Sequence, residues 1–127
     1  IAENASLLAL VHTGFAPAAI FRFKKMILEV AILDVIESKT QEFEEVFHKA
    51  QNIIMSIGGY ISHELQKCVE QRNRYILLVR WQSLEDHTIG FRDSLEYQEW
   101  KKLLHHFYNP FPLVQHYAQI TSLSSKS

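Results

Sequence analysis

The sequence predicts an α+β domain whose elements run β-α-β-β-α-β. Three observations carry this. Four short runs are rich in β-branched and aromatic residues, two longer stretches repeat apolar residues at helical spacing, and glycine, proline or polar clusters separate them. A chain of 127 residues fits one domain. Hydrophobic residues at 47% and charged residues at 21% exclude a disordered or low-complexity chain. Thirteen Lys and Arg against fourteen Asp and Glu give a net charge of -1, so there is no polybasic footprint for nucleic acid or for a membrane surface. Cys68 is the only cysteine, which excludes an internal disulfide and a cysteine-based zinc site and points to a reducing, cytoplasmic setting.

Residues 1–25 stand apart. Glu3 is their only acid, the basic Arg22, Lys24 and Lys25 come last, and Gly14 and Pro17 interrupt the apolar runs. A secretory signal places its charge before the apolar stretch, and a membrane span needs about 20 apolar residues, so neither pattern is met. Strong patterning begins at Met26. Residues 1–25 are therefore expected to be an N-terminal extension upstream of a start at Met26, the alternative being a docking arm. The domain is expected over 26–120 and a mobile tail over 121–127.

Met26–Val35 (MILEVAILDV) is apolar almost throughout and predicts a strand buried on both faces. Ser38 with Gln41 has the spacing of a capping box at a helix start. Phe43, Val46, Phe47, Ala50, Ile53, Ile54 and Ile57 then form one apolar stripe, ended by Gly58-Gly59. Tyr60–Cys68 alternates as a strand does, Glu70–Asn73 is a polar turn, and Arg74–Trp81 (RYILLVRW) is the second arm of an antiparallel hairpin. Ser83 and Asp86 form another capping pair, with Leu84, His87, Thr88 and Phe91 on one helical face. A further helix from Ser94 turns Tyr97, Trp100, Leu103, Leu104 and Phe107 inward until Asn109-Pro110-Phe111-Pro112 breaks it. Val114–Ile120 is the last strand.

This order is the ferredoxin-like, split βαβ arrangement with a four-stranded antiparallel sheet. Two helices cover one sheet face only, yet Tyr75, Leu77 and Val79 alternate with Ile76 and Leu78, so both faces are apolar. A homodimer through the helix-free face is the simplest closure.

No strong catalytic motif is present: there is no phosphate loop, nucleophile elbow or zinc-protease pair. Candidate chemistry falls to histidines. His48, His105 and His106 lie off the apolar stripes and read as solvated or flanking, and adjacent His105 and His106 point about 100° apart, unlike metal ligands. His12 carries no reading. His63, His87 and His116 lie on apolar faces, either as core residues satisfied by a hydrogen bond or as pocket residues. In the second case, His63 and His87 line a space between sheet and helices, where neutral imidazole serves as a base near pH 7. Trp81, close to His87, supplies a flat aromatic wall or simple core packing. Glu29, Glu64 and Arg80 are charges within apolar strands. A structural ion pair at the sheet or dimer face is expected ahead of a substrate anchor, with Arg80 opposite His63 or Glu64 according to register.

MILEVAILDV, the helix ending in GGYISHELQKC, and above all NRYILLVRWQSLEDHTIGFRDSLEYQEWKKLLHHFYNPFPLVQHY resemble the antibiotic biosynthesis monooxygenase (ABM) domain family from Met26 to Tyr117. The resemblance implies a dimeric α+β barrel and an oxygenase that uses neither cofactor nor metal. A small aromatic quinol or phenol would be deprotonated and its anion would react directly with dioxygen. On that reading His63 or His87 is the catalytic base, and Trp81 and Phe91 form the substrate-pocket wall. A non-catalytic dimer that binds small aromatic molecules, or only scaffolds, is the alternative. A haem-degrading subset of related domains uses a first-strand asparagine, the hairpin tryptophan and a second-helix histidine. Here Trp81 matches, but the first strand has no asparagine and the helical position holds Lys101, so that reading ranks below the other two.

Overall fold

The computed structural model describes residues 25–125. The sequence readings on residues 1–24 and on the last two residues of the tail lie outside the described residues. Strand β1 is Ile27–Asp34, helix α1 is Thr40–Met55, β2 is Tyr60–Lys67, β3 is Arg74–Trp81, α2 is Leu95–Leu104 and β4 is Leu113–Ala118. Short 3-10 turns at Glu37–Lys39 and His105–Phe107 and a π-helical turn at Asp86–Phe91 complete the path. The strands pair antiparallel in the order β2-β3-β1-β4. The α+β, ferredoxin-like class and the element order are as the sequence predicts.

The two helices pack on one sheet face because their stripes meet its apolar rows. Phe43, Phe47, Ala50 and Ile54 of α1 and Trp100 and Leu104 of α2 are buried against Ala31, Leu33, Tyr75, Leu77 and Val79. Ser94 caps α2, its Oγ accepting the Tyr97 N–H at 3.0 Å. Ser83 and Asp86 make the expected reciprocal pair: Ser83 Oγ donates to the Asp86 carboxylate at 2.9 Å and accepts the Asp86 N–H at 3.3 Å.

Three local expectations are corrected. Ser38 does not cap α1: it sits inside a 3-10 turn in which the Lys39 N–H reaches Ile36 O at 2.8 Å, and the helix starts at Thr40 without a side-chain cap. Strand β4 starts at Leu113 and stops at Ala118, two residues short of the expected end. Arg80 faces Ser62 rather than His63 or Glu64, because a bulge between Tyr60 and Ser62 inserts Ile61 as an extra residue. That bulge also separates Ile61 from the face that carries His63 and Leu65.

The helix-free face carries Leu28, Val30 and Ile32 of β1, Ile76 and Leu78 of β3, and Leu113 and Tyr117 of β4, in register. Ile32, Leu113 and Tyr117 are exposed there. Among the described residues no helix is long and apolar enough to cross a membrane.

Candidate functional site

Between the sheet and α2 lies a cavity of about 370 Å³. Its floor is Glu29, Ala31 and Leu33 of β1 with Leu77 and Val114 from the flanking strands, and its roof is Phe91, Tyr97 and Trp100. An aromatic wall runs along it. Phe91 lies 6.2 Å from His87 and 5.2 Å from Tyr97, Tyr97 lies 5.9 Å from His105, and His105 lies 5.1 Å from Phe111, all between ring centroids. His87 is 3% exposed and Phe111 67%, so the wall leads from a buried end to an open one.

At the buried end four side chains from four elements are joined. The β1–β3 register places Trp81 opposite Ile27, two residues from Glu29, and its Nε1–H donates to Glu29 Oε1 at 2.9 Å. His87 Nε2 stands 3.3 Å from the same oxygen, and His87 Nδ1 is 2.7 Å from His116 Nε2. His116 pairs with Glu29 across β1 and β4, which brings it to this point. The Trp81 indole stacks on His87 with centroids 5.4 Å apart and planes 20° apart.

Burial pushes the Glu29 carboxyl up to about 7, opposed by the Trp81 hydrogen bond and by the Arg92 charge. The same burial, with Arg92 and His116 adding to it, lowers His87 to about 3. At neutral pH His87 is therefore a neutral imidazole, and Glu29 is the group that gains and loses a proton. When Glu29 is ionised, His87 Nε2–H faces it and His87 Nδ1 accepts from His116. When Glu29 is protonated, that donor order can reverse. The array can move a proton between the cavity wall and β4. Exposed Arg92 also lines the cavity, and its guanidinium makes no side-chain hydrogen bond or ion pair among the described residues.

The structure divides the four residues singled out from the sequence. His87 and Phe91 line the cavity. Trp81 is 0% exposed and lies behind His87, buttressing the imidazole and holding Glu29 instead of walling the pocket. His63 does not share the cavity with His87. It lines a separate depression with Gln51, Lys67 and Tyr75 beside α1. There Tyr60 Oη–H donates to its Nδ1 at 2.6 Å and its Nε2–H donates to Gln51 Oε1 at 2.8 Å, so both ring nitrogens are committed.

The structural ion pair expected for the strand charges Glu29, Glu64 and Arg80 does not form within the sheet. Glu29 faces the helices, whereas Arg80 and Glu64 are on the opposite face, and no ion pair joins the three among the described residues. His105 is also corrected: the 3-10 turn that ends α2 rotates it into the cavity wall, where a continued α-helix was expected to point it away. Glu29, Arg92 and His116 were missed as a unit because they belong to three elements. The available signal was an acid inside an apolar strand, away from its ends. Among the described residues no group of three or more His, Cys, Asp or Glu could hold a metal ion.

A family model described as antibiotic biosynthesis monooxygenase matches residues 26–103. The uncharacterized protein YczJ of Bacillus subtilis (strain 168) is 54% identical over 95 residues, which is 75% of this chain and 100% of that protein. A crystal structure from Bordetella bronchiseptica, assigned to the same monooxygenase class, is 30% identical, with a TM-score of 0.73 over 76% of this chain and 99% of its own. SnoaB of Streptomyces nogalater, a cofactor-independent oxygenase, shares the fold at 14% identity, with a TM-score of 0.62 over 81% of this chain and 99% of its own.

Proposed function

Since the chain belongs to the antibiotic biosynthesis monooxygenase family, we propose that it inserts one oxygen atom of dioxygen into a small aromatic phenol or quinol without a bound cofactor. The observation that carries this reading is the Glu29–His87–His116 array at one end of a cavity whose middle is aromatic and aliphatic. Chemistry of this kind requires a base of suitable strength, a dry apolar bed for a flat ring and a charge that stabilises the resulting anion.

The substrate hydroxyl meets Glu29 and His87 at the buried end. Glu29, with a proton affinity near neutrality, takes the phenolic proton directly or through His87, and His116 carries it onward. Trp81 keeps both acceptors in place by stacking on one and donating to the other. Arg92 balances the phenolate charge. The electron-rich ring then reduces dioxygen, and a carbon–oxygen bond forms at a ring carbon. Cleavage of the O–O bond leaves one oxygen as a quinone carbonyl. The other leaves as water with the phenolic and ring hydrogens, so one phenol and one dioxygen give one quinone and one water. The bed of Phe91, Leu77 and Val114 holds the ring and excludes bulk water.

His63 is not given the base role, because its two nitrogens are already engaged by Tyr60 and Gln51. The non-catalytic alternative expects both histidines packed and no space of ligand size, and the cavity beside His87 argues against it.

Oxygen uptake measured against a panel of phenols and quinols tests the reading. At least one member should consume dioxygen with quinone formed in equal amount. His87→Ala and Glu29→Gln should each slow that reaction by roughly 10²-fold or more, the usual scale of a general base, while Cys68→Ser keeps the rate. Uptake by none of the panel, or uptake untouched by both substitutions, would overturn it.

A further inference from the structure

The end of the cavity remote from Glu29 carries polar groups that the proposed chemistry does not use. Tyr97, His105 and Tyr108 line it, and their rings form one cluster: Tyr97 lies 5.9 Å from His105, and His105 lies 5.8 Å from Tyr108. None of the three side chains makes a hydrogen bond among the described residues. Tyr97 and Tyr108 nevertheless are partly buried, and burial holds Tyr108 well above the ordinary phenol range. None of these unpartnered polar atoms is sealed from solvent, so their donors are available to a ligand that enters the cavity.

Their place is fixed by the fold. The backbone of Tyr108 bridges to Val35, beyond Leu33, while Glu29 lies at the other end of the cavity floor. Leu33 lies four residue steps along the strand from Glu29, about 13 Å at 3.3 Å per residue. The site is thus polar at both ends and apolar between them, with Phe91, Leu77 and Trp100 in the middle.

We propose that Tyr97, His105 and Tyr108 form a distal subsite that takes a neutral oxygen substituent, a hydroxyl or a carbonyl, on the far ring of a fused aromatic ligand. The choice of a neutral group over a carboxylate follows from charge. Burial and nearby Lys101 lower His105 below the ordinary histidine range, so the cluster offers O–H and N–H donors without a formal positive charge. Arg92, the cavity's cation, is instead at the Glu29 end, where its charge acts on Glu29 and His87. The three are specificity residues: they select a ligand with oxygens at both ends and set its orientation.

The subsite rests on the cavity being the substrate site, so its test reads binding and does not depend on turnover. Equilibrium binding to the full chain is compared for a naphthol and for a dihydroxynaphthalene with its hydroxyls on opposite rings. The second hydroxyl should tighten binding by roughly three- to tenfold, the range of a neutral hydrogen bond. Tyr108→Phe should remove most of that preference while naphthol binding stays within twofold. Tyr97→Phe does the same with less disturbance of the core. Equal binding of both probes by the native protein, binding of neither, or equal weakening of both by each substitution would overturn the subsite. Retained preference without oxygen uptake would overturn only the oxygenase reading, and oxygen uptake without preference only the subsite.

Discussion

Glu29 is the residue on which the site turns, and its energetics can be measured without a substrate. Its folded-state value of about 7 lies above the ordinary 4.5, so the folded state favours the protonated form. The corresponding stability is fully present below pH 4.5 and is lost as pH rises through 7. His87 runs the other way. Its value is depressed from 6.5 to about 3, so its contribution is present above pH 6.5 and is lost as pH falls toward 3. Between pH 4.5 and 6.5 the two slopes oppose each other. Glu29→Gln removes only the first while keeping an acceptor for the Trp81 indole. The variant should match the native protein near pH 4 and exceed it at pH 8 by about 3 kcal/mol, from 1.36 kcal/mol per pK unit. Urea unfolding at the two pH values measures this. An equal difference at both would show that Glu29 is not held protonated by burial.

At the scale of elements, the site depends on how β2 and the π-helical turn approach each other. Gly59 adopts φ +87°, and a Cβ there would overlap the Asp86 carboxyl group at the start of the turn that carries His87. Its carbonyl also accepts the Gln82 N–H at 2.8 Å, tying the start of β2 to the end of β3. Gly59→Ala should therefore cost at least about 1–2 kcal/mol, from left-handed backbone strain plus the displaced Asp86. Gly58, with open space around it, should accept alanine with far less change. Thermal denaturation of the two variants makes the comparison, and equal melting temperatures would remove the close approach from the account. The π turn itself widens the helix so that the Arg92 N–H bonds to His87 O at 3.1 Å, five residues back. Leu84, His87, Thr88 and Phe91 were legible as one helical face, but the wider turn was not, because residue spacing does not report where a helix gains an extra residue.

For the whole molecule, the open sheet face is the unresolved demand. Leu78 sits at its centre, opposite Val30 on one side and Glu64 on the other, with Ile32 and Ile76 nearby. A contiguous apolar face of this kind on a small domain calls for a cover. We propose a second copy, related by a two-fold axis, as that cover. Sedimentation of the native chain should give twice the chain mass, and Leu78→Arg should give the single mass with the helix-covered side unchanged by far-UV circular dichroism. A native chain that sediments as a monomer across the accessible concentrations would refute the dimer.

Period and punctuation in the sequence determined the order of strands and helices, the buried stripes of both helices and the apolar character of both sheet faces. These are local quantities: a side chain's face follows from a repeat of two or of 3.6 residues. Tertiary structure alone decided that Glu29, His87 and His116 meet, that Trp81 stands behind them, and that His63 opens to a separate depression beside α1. It also decided that His105 turns inward. Register across β1, β3 and β4 brings Glu29, Trp81 and His116 together, whereas the directions of His63, His87 and His105 depend on a bulge at Ile61, a π turn and a 3-10 turn, each of which shifts direction by about one residue. One residue of shift changes which face a side chain occupies, and no pattern within a single element records it.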